Sequence, residues 1–145
     1  MYDAHSNITD VTKDGVLHYH YGYDMMNQLV SVDDKLNGKV YNYTYDAGGN
    51  LISETVTDSN GTTSNAYEYN NSNWGDVLTS YNGQNITYDE IGNPLTYRDG
   101  MSMTWKNGRQ LATLTNGDTS ISYGYDSGSV RTTKTVNGVK YTYAY

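Results

Sequence analysis

The stretch Tyr45-Asp46-Ala47-Gly48-Gly49-Asn50-Leu51 decides the fold of this chain, and a close copy follows at Tyr88-Asp89-Glu90-Ile91-Gly92-Asn93-Pro94-Leu95. The Asp in such a stretch accepts hydrogen bonds from backbone N–H groups two residues further on, and Gly supplies the positive φ of a tight turn. Alternating Tyr residues before the turn, and Leu after it, are typical of strands. Each copy therefore predicts a turn between two antiparallel strands.

Pairs of aromatic or apolar residues two positions apart recur in phase with these turns, at Tyr21/Tyr23, Tyr43/Tyr45, Tyr67/Tyr69, Ile86/Tyr88, Met103/Trp105, Tyr123/Tyr125 and Tyr143/Tyr145. Counted from Tyr2, the intervals are 21, 22, 24, 19, 17, 20 and 20 residues. A fixed period of this size marks a repeat architecture. We predict a single array of seven repeats over 1–145, with boundaries near Tyr2, Tyr23, Tyr45, Tyr69, Tyr88, Trp105, Tyr125 and Tyr145.

A second turn signal lies in the middle of most repeats, where Asn precedes Gly at Asn37-Gly38, Asn60-Gly61, Asn82-Gly83, Asn116-Gly117 and Asn137-Gly138. Both residues accept the positive φ of a type I′ hairpin turn. Because both kinds of connection are too short for a parallel crossover, every neighbouring pair of strands is predicted to be antiparallel. The repeat-defining residues are Tyr23, Asp24, Tyr45, Asp46, Gly49, Asn50, Tyr88, Asp89, Gly92, Asn93, Tyr125 and Asp126.

The predicted fold is all-β: tandem antiparallel β-hairpin repeats in a curved continuous sheet, forming an open or partly closed barrel or solenoid-like shell. A single hairpin is marginal in water, so stability has to come from the stacking of neighbouring repeats. The composition agrees, because the chain has 17 Tyr, no Phe and only 36% apolar residues. Tyr rings bury apolar area while their hydroxyls stay hydrated or hydrogen-bonded.

Charge and composition exclude several classes of function. The formal charge of −7, without a cluster of Lys or Arg, predicts that the chain does not bind nucleic acid. No apolar run is long enough for a spanning helix, so we expect no membrane insertion. We expect the chain to carry no targeting signal of its own. Without Cys it has neither disulfides nor thiol chemistry.

The Tyr-Asp-x-x-Gly-Asn-x-Leu pattern resembles that of the YD-repeat family, also called Rhs repeats. The segment Val130–Gly138 also resembles a stretch late in the repeat arrays of secreted or wall-associated Rhs proteins of Gram-positive bacteria. The resemblance covers the whole chain and implies a β-strip that, in longer relatives, spirals into a hollow shell around a toxin domain, as in insecticidal toxin complexes and teneurin barrels. It implies that the parent protein is secreted or located at the cell wall or cell surface.

Several positions depart from that pattern. Asn70 and Lys106 replace the Asp, Trp105 replaces a Tyr, and the segment Gly128–Arg131 lacks the Gly-Asn pair. We interpret these changes as variation within the repeat. The autoproteolytic and toxin regions of the family lie beyond its repeats, so neither activity is carried over to this chain.

Three groups of residues offer alternative chemistry. His18 and His20 share one face of a strand and could hold Zn²⁺ or Ni²⁺ with His5 as a third ligand, although a hydrated strand face explains them equally well. The acidic pairs Asp33-Asp34 and Asp89-Glu90 could suggest a calcium site or glycosidase carboxylates. They fall in predicted turns, however, where Asp is favoured for local hydrogen bonds. With no nucleophile motif and only three His, we expect no enzyme, no cofactor and no bound metal.

The aromatic face is the surface with binding potential, because Tyr and Trp rings stack on sugars. The candidate ligand-stacking residues are Trp74, Trp105, Tyr43, Tyr45, Tyr123 and Tyr125. Two functions follow: a structural segment of a toxin-enclosing shell, which we favour, or a carbohydrate-binding module.

The matched phase of the two chain ends generates a further expectation. An edge strand near Tyr2 and another near Tyr145 would belong to the same pattern, so one copy could extend the sheet of another head to tail. The predicted partners are therefore a second copy of the chain, neighbouring repeats and toxin cargo in the parent, and, for the alternative function, a carbohydrate.

Overall fold

The computed structural model describes residues 1–144 and is built from short antiparallel hairpins, which confirms the predicted fold class. Within this range no α-helix is present, and one 3₁₀ turn spans Arg98–Gly100. The chain divides into two compact units, Met1–Leu78 and Thr79–Tyr145. The predicted repeat boundary near Tyr145 lies outside the described residues.

Unit 1 contains strands β1 to β6, each paired with the next in chain order within one antiparallel sheet. Their bounds are β1 Asp10–Lys13, β2 Val16–Tyr23, β3 Leu29–Asp34, β4 Lys39–Tyr45, β5 Leu51–Asp58 and β6 Gly61–Glu68.

Unit 2 contains a small hairpin and a six-stranded antiparallel sheet in the order β14-β13-β12-β11-β10-β9. The strands are β7 Ser80–Tyr81 and β8 Gln84–Asn85 in the hairpin, then β9 Thr96–Tyr97, β10 Met101–Lys106, β11 Gln110–Asn116, β12 Thr119–Tyr125, β13 Arg131–Val136 and β14 Val139–Thr142.

The repeat predicts a single continuous sheet, but within unit 2 the ladder of strands is interrupted between β8 and β9. The hairpin that should continue it is reduced to one isolated bridge between Tyr88 and Pro94. Because Pro has no N–H, it cannot donate to the ladder. Beside this bridge the Leu95 N–H donates to the Thr87 carbonyl at 2.7 Å, and the Thr96 hydroxyl accepts from the Thr87 N–H at 2.9 Å.

Five turns share one hydrogen-bond pattern, which confirms the role predicted for Asp. In the clearest copy, Asp46 Oδ1 accepts from the N–H groups of Gly48 at 2.8 Å and Asn50 at 2.9 Å. The Asp46 N–H donates to the Asn50 carbonyl, and the Gly49 N–H to the Asp46 carbonyl. The same turn begins at Asp3, Asp24, Asp46, Asp89 and Asp126.

The third residue after each of these Asp residues has a positive φ, whatever its type. Gly49 and Gly92 supply it in two turns, with φ of 88° and 83°. In the last turn, which lacks the Gly-Asn pair, Ser129 adopts φ 65°, and the Val130 N–H still donates to Asp126 at 3.0 Å. The carboxylate therefore holds the turn even where Gly is absent.

The Asn-Gly steps all lie at chain reversals, but the predicted type I′ geometry holds at only two of the five. Asn82 and Asn137 have the required positive φ, at 49° and 48°. The prediction is wrong at Asn37, Asn60 and Asn116, which do not. At Asn37 the reason is visible: the Asp34 carboxylate accepts from the Asn37 N–H and its side-chain amide, and this closes a four-residue loop instead.

The repeat that follows Trp105 begins without an Asp turn, because Lys106 stands at the Asp position. Where Lys106 replaces the Asp, a three-residue loop, 107–109, joins the paired residues Lys106 and Gln110, with φ of 46° at Asn107 and 82° at Gly108. The Asn93 side chain donates to the Gly108 carbonyl at 2.8 Å and thereby links the two successive turns.

Neighbouring turns are also linked in unit 1. The Asn7 amide donates to Asn27 at 2.9 Å, and the Asn50 amide donates to the Gly75 carbonyl at 3.2 Å. Asn50 and Asn93 each donate to the Asp of their own turn as well, so one amide group serves two turns.

Little of the chain is deeply buried. Within residues 1–144, Ile86 is the one apolar residue with under a tenth of its surface exposed, while Asp34, Ser80 and Asn93 are buried polar residues. Stability therefore depends on half-buried strand faces and on hydrogen-bonded turns.

We predict that Asn93→Ala destabilises the chain by about 1–3 kcal/mol, because it removes the hydrogen bonds to Asp89 and Gly108 at a site that is only 3% exposed. Urea unfolding followed by circular dichroism measures the change. Asn73→Ala, at an exposed position, is the control and should leave the midpoint unchanged. Equal midpoints for the two variants would contradict the prediction.

We also predict that stability falls on acidification. The side-chain amides of Asn7, Asn37 and Asn50 hold the pKa values of Asp3, Asp34 and Asp46 below the ordinary value of 3.8. The stabilisation is complete above that value and is lost as the pH falls through it toward the lower pKa of the folded state. The Tm should drop between about pH 5 and pH 3, and Asp46→Asn, which does not titrate, should show a smaller drop.

Candidate functional site on the tyrosine face

The second aromatic residue of the repeat makes a polar contact with the preceding repeat. The hydroxyl of Tyr23 donates to the Ile8 carbonyl at 3.0 Å, and that of Tyr45 donates to the Leu29 carbonyl at 2.7 Å. In unit 2, Tyr125 donates to the Leu111 carbonyl at 3.0 Å. These aromatic-to-carbonyl bonds connect successive hairpins within each unit.

Trp105 makes the same contact by different chemistry. Its indole Nε1–H donates to the Pro94 carbonyl at 2.7 Å. Indole is a donor only, as this position requires, so Trp keeps the bond that a Tyr hydroxyl makes elsewhere.

The acceptor is set by strand register. Each accepting carbonyl belongs to the residue that pairs with the aromatic residue of its own repeat, as in Tyr23↔Leu29 followed by Tyr45 donating to Leu29. A β-bulge adjoins this pair in four hairpins, between Gly22/Tyr23, Thr44/Tyr45, Thr104/Trp105 and Gly124/Tyr125. Bulges bend a strand and increase its twist. The repeat therefore places a bend and a donor at the same position.

This register corrects the alignment of the Leu position in two repeats. Pro94 pairs with Tyr88, and Arg131 pairs with Tyr125, where the sequence pattern points to Leu95 and Val130. In each Asp turn, the residue that pairs with the aromatic residue before the Asp is the fifth residue after the Asp. The sequence pattern alone does not show this register.

We call the side of each sheet that carries the recurring Tyr residues its tyrosine face. In unit 1 this face combines aromatic, aliphatic and acidic side chains. One row across the sheet runs Tyr21↔Val32↔Tyr41↔Val56, and Tyr19 and Tyr21 stack with ring centroids 6.1 Å apart. Glu54 lies opposite Tyr43. Burial, and then the nearby Glu54 charge, raise the pKa of the Tyr43 hydroxyl.

The tyrosine face of unit 2 carries cations instead of acids. Its apolar row runs through Met103, Leu114, Ile121 and Val136. A second row, Tyr123↔Lys134↔Tyr141, sets a Lys between two Tyr residues.

The candidate ligand-stacking residues are distributed over both units. Tyr43 and Tyr45 are half-buried on β4 of unit 1, while Trp105, Tyr123 and Tyr125 are half-buried on β10 and β12 of unit 2. Trp74 lies in the connection after β6 and is 50% exposed. The rings of Tyr123 and Tyr125 are covered by a guanidinium group, with the Arg131 Cζ 4.5 Å from the centroid of Tyr123.

The alternative metal-ligating residues have local partners. His20 Nδ1 lies 2.8 Å from Asp10 Oδ1 on the adjacent strand, and Asp33 pairs with Lys35 at 2.6 Å. Residues 1–144 contain no group of three His, Cys, Asp or Glu side chains placed to hold a metal ion. Asp34 and Asp89 are used in turns, as their sequence context predicts.

Two features of this face escape sequence reasoning. The first is the Asn of the Gly-Asn pair, whose amide joins adjacent turns; its recurrence beside Gly is the signal for it. The second is the set of cations around Tyr123 and Tyr125, which come from β10 and β13. A search for helices that could span a membrane found none in the described part.

Comparison with known proteins gives two kinds of match. Residues 1–145 match the family model described as Teneurin YD-shell. The chain is 36% identical over 128 residues to the tRNA nuclease WapA of Bacillus subtilis strain 168, and 37% identical over 128 residues to the tRNA3(Ser)-specific nuclease WapA of Bacillus spizizenii. Each alignment covers 85% of this chain, which spans only 5% of the length of either relative.

We predict that Trp105→Phe destabilises the chain by about 0.5–1.5 kcal/mol, because the Pro94 carbonyl loses its donor. Trp74→Phe, at the half-exposed loop position, should change the unfolding free energy by far less. Chemical denaturation of both variants tests this. If Trp105→Phe unfolds at the same denaturant concentration as Trp74→Phe, the indole bond is not structural.

Proposed function

Because this chain belongs to the Teneurin YD-shell family, we propose that it is a non-catalytic wall segment of the β-shell of a secreted bacterial protein, and that the complete shell encloses a toxin domain. The family match supports a structural role in a β-shell. Secretion and toxin enclosure are the added elements of the proposal.

The observation that carries this proposal is the contact between successive repeats. Every aromatic donor described above bonds to a carbonyl of the preceding hairpin, so each hairpin is completed by its neighbour. Repeats connected in this way extend a wall by addition of further copies. The recurring aromatic side chains thus form hydrogen bonds within the segment itself, as expected of a structural segment.

The two relatives support the link to a toxin. Both are named as tRNA nucleases, and this chain aligns with 5% of each. Nuclease activity is a property of those much longer proteins. In our proposal the aligned segment helps to enclose the toxin domain and has no catalytic role.

Carbohydrate binding by the same face is the competing function. It would need exposed rings, whereas Trp105 already donates its N–H to Pro94 and Tyr123 already faces Arg131. Trp74 is the most exposed of the candidate aromatic residues. Saturable glycan binding that is lost in Trp74→Ala, without unfolding, would favour this function over the wall segment.

Head-to-tail association of two copies stays a prediction. The strand β14 is exposed along its whole length and pairs with β13. An added strand from a second copy would have to pair with its other edge.

The wall-segment proposal is tested by exchange of the matched segment. This chain replaces the aligned residues of the Bacillus subtilis WapA, and the resistance of the nuclease region to added protease is measured. We expect the exchange to preserve protection and a version with Asp46→Ala and Asp89→Ala to lose it, because two turns lose their acceptors. Asp76→Ala, an exposed acid, is the control. Equal protease sensitivity of all three proteins would overturn the proposal.

A further inference from the structure

The charge of the chain is divided unevenly between its two units. Unit 1 has 3 basic and 11 acidic residues, a formal charge of −8, and unit 2 has 6 basic and 5 acidic residues, a formal charge of +1. These values account for the total of −7. The strands differ even more, because β7 to β14 contain no Asp or Glu at all. All acidic residues of unit 2 lie outside its strands, at Asp89, Glu90, Asp99, Asp118 and Asp126.

Three cations of unit 2 converge on two tyrosines. The Arg131 Cζ lies 4.5 Å from the ring centroid of Tyr123 and 5.9 Å from that of Tyr125. The Lys106 Nζ lies 5.2 Å from the Tyr125 centroid and donates to the Tyr123 carbonyl at 3.1 Å. Lys134 pairs with Tyr123 across the strands.

An open groove of about 290 Å³ adjoins these cations. Lys134, Val136, Tyr141 and Tyr143 line it, so that its walls are aromatic and aliphatic and its charged group is an ammonium. A groove of this composition fits side chains that have an apolar stem and an anionic end group. Glu and Asp side chains have that form.

We propose that the cation-tyrosine cluster formed by Lys106, Tyr123, Tyr125, Arg131 and Lys134 is a docking site for an acidic polypeptide segment. The inference rests on the proposed function and deepens it, since it names the chemistry of the partner that the wall segment contacts. A cation stacked on a ring is held in place by the π-system. Arg131 also hydrogen-bonds the Tyr125 side chain. A guanidinium group carries five N–H donors and binds carboxylates through two parallel hydrogen bonds.

One observation favours an acidic polypeptide over a single-stranded nucleic acid. Nucleic acids bind such surfaces by stacking their bases on exposed rings, and here the rings of Tyr123 and Tyr125 are already faced by Arg131 and Lys106. Carboxylate side chains need no free ring, because they bind the cations directly.

The test uses the full chain and a fluorescently labelled oligoglutamate peptide, with binding followed by anisotropy. We expect saturable binding that weakens as NaCl is raised. The double variant Arg131→Gln with Lys134→Gln should weaken it by about tenfold or more, since it removes two charge-assisted contacts. Lys13→Gln with Lys39→Gln makes the same charge change in unit 1 and should leave the affinity within about twofold.

A charge-conserving double variant is the control for loss of affinity through unfolding. Arg131→Lys with Lys134→Arg keeps both charges and should retain most of the affinity. The proposal is overturned if wild-type chain fails to bind oligoglutamate, if it binds oligouridylate and not oligoglutamate, or if the two double Gln variants lose affinity equally. Failure to bind oligoglutamate would disprove the acidic partner only. The proposed wall function would still be tested separately, by the segment exchange.

Discussion

A carboxylate that accepts two backbone N–H groups from the turn ahead of it is the interaction on which this structure depends. Asp46 shows it fully: its Oδ1 atom holds the amides of Gly48 and Asn50, and its Oδ2 atom holds the Asn50 side chain. With the turn fixed, the fifth residue after the Asp pairs with the preceding Tyr. That pairing brings the next carbonyl to the aromatic donor of the following repeat. One local contact thus sets the register of two hairpins.

This arrangement replaces a conventional core. With Ile86 as the one deeply buried apolar residue in the described range, the units cannot rely on close packing of aliphatic side chains. Tyr suits the situation because its ring covers the strand face while its hydroxyl reaches a carbonyl. The preference for Tyr over Phe has the same cause: Phe would cover the face equally well, but the Leu29 and Leu111 carbonyls would lose their donors.

The features that sequence reasoning predicted correctly are local ones. The Asp turns and the antiparallel pairing follow from residue types that lie close together in the sequence, and the period is the recurrence of those local signals. Its errors arise where partners lie further away or where two local signals compete. At Asn37 the Asp34 carboxylate overrides the Asn-Gly preference, and at Pro94 a missing donor breaks the ladder that the repeat alone would continue. The cluster around Tyr123 brings together β10, β12 and β13, so no window of sequence contains it.

Substitutions in the repeat show which chemistry the wall requires. Ser129 replaces Gly at the position of positive φ, and Trp105 replaces Tyr as the donor; in both cases the hydrogen bond survives although the residue type changes. Lys106 is different, because it replaces an acceptor with a donor that no turn of this kind can use. The chain there reverses through a three-residue loop, 107–109, and the Lys106 side chain lies against Tyr125 and donates to the Tyr123 carbonyl. The substitution of Asp by Lys106 therefore has two effects in unit 2. It removes the acceptor of the Asp turn, and it adds a cation beside Tyr123 and Tyr125.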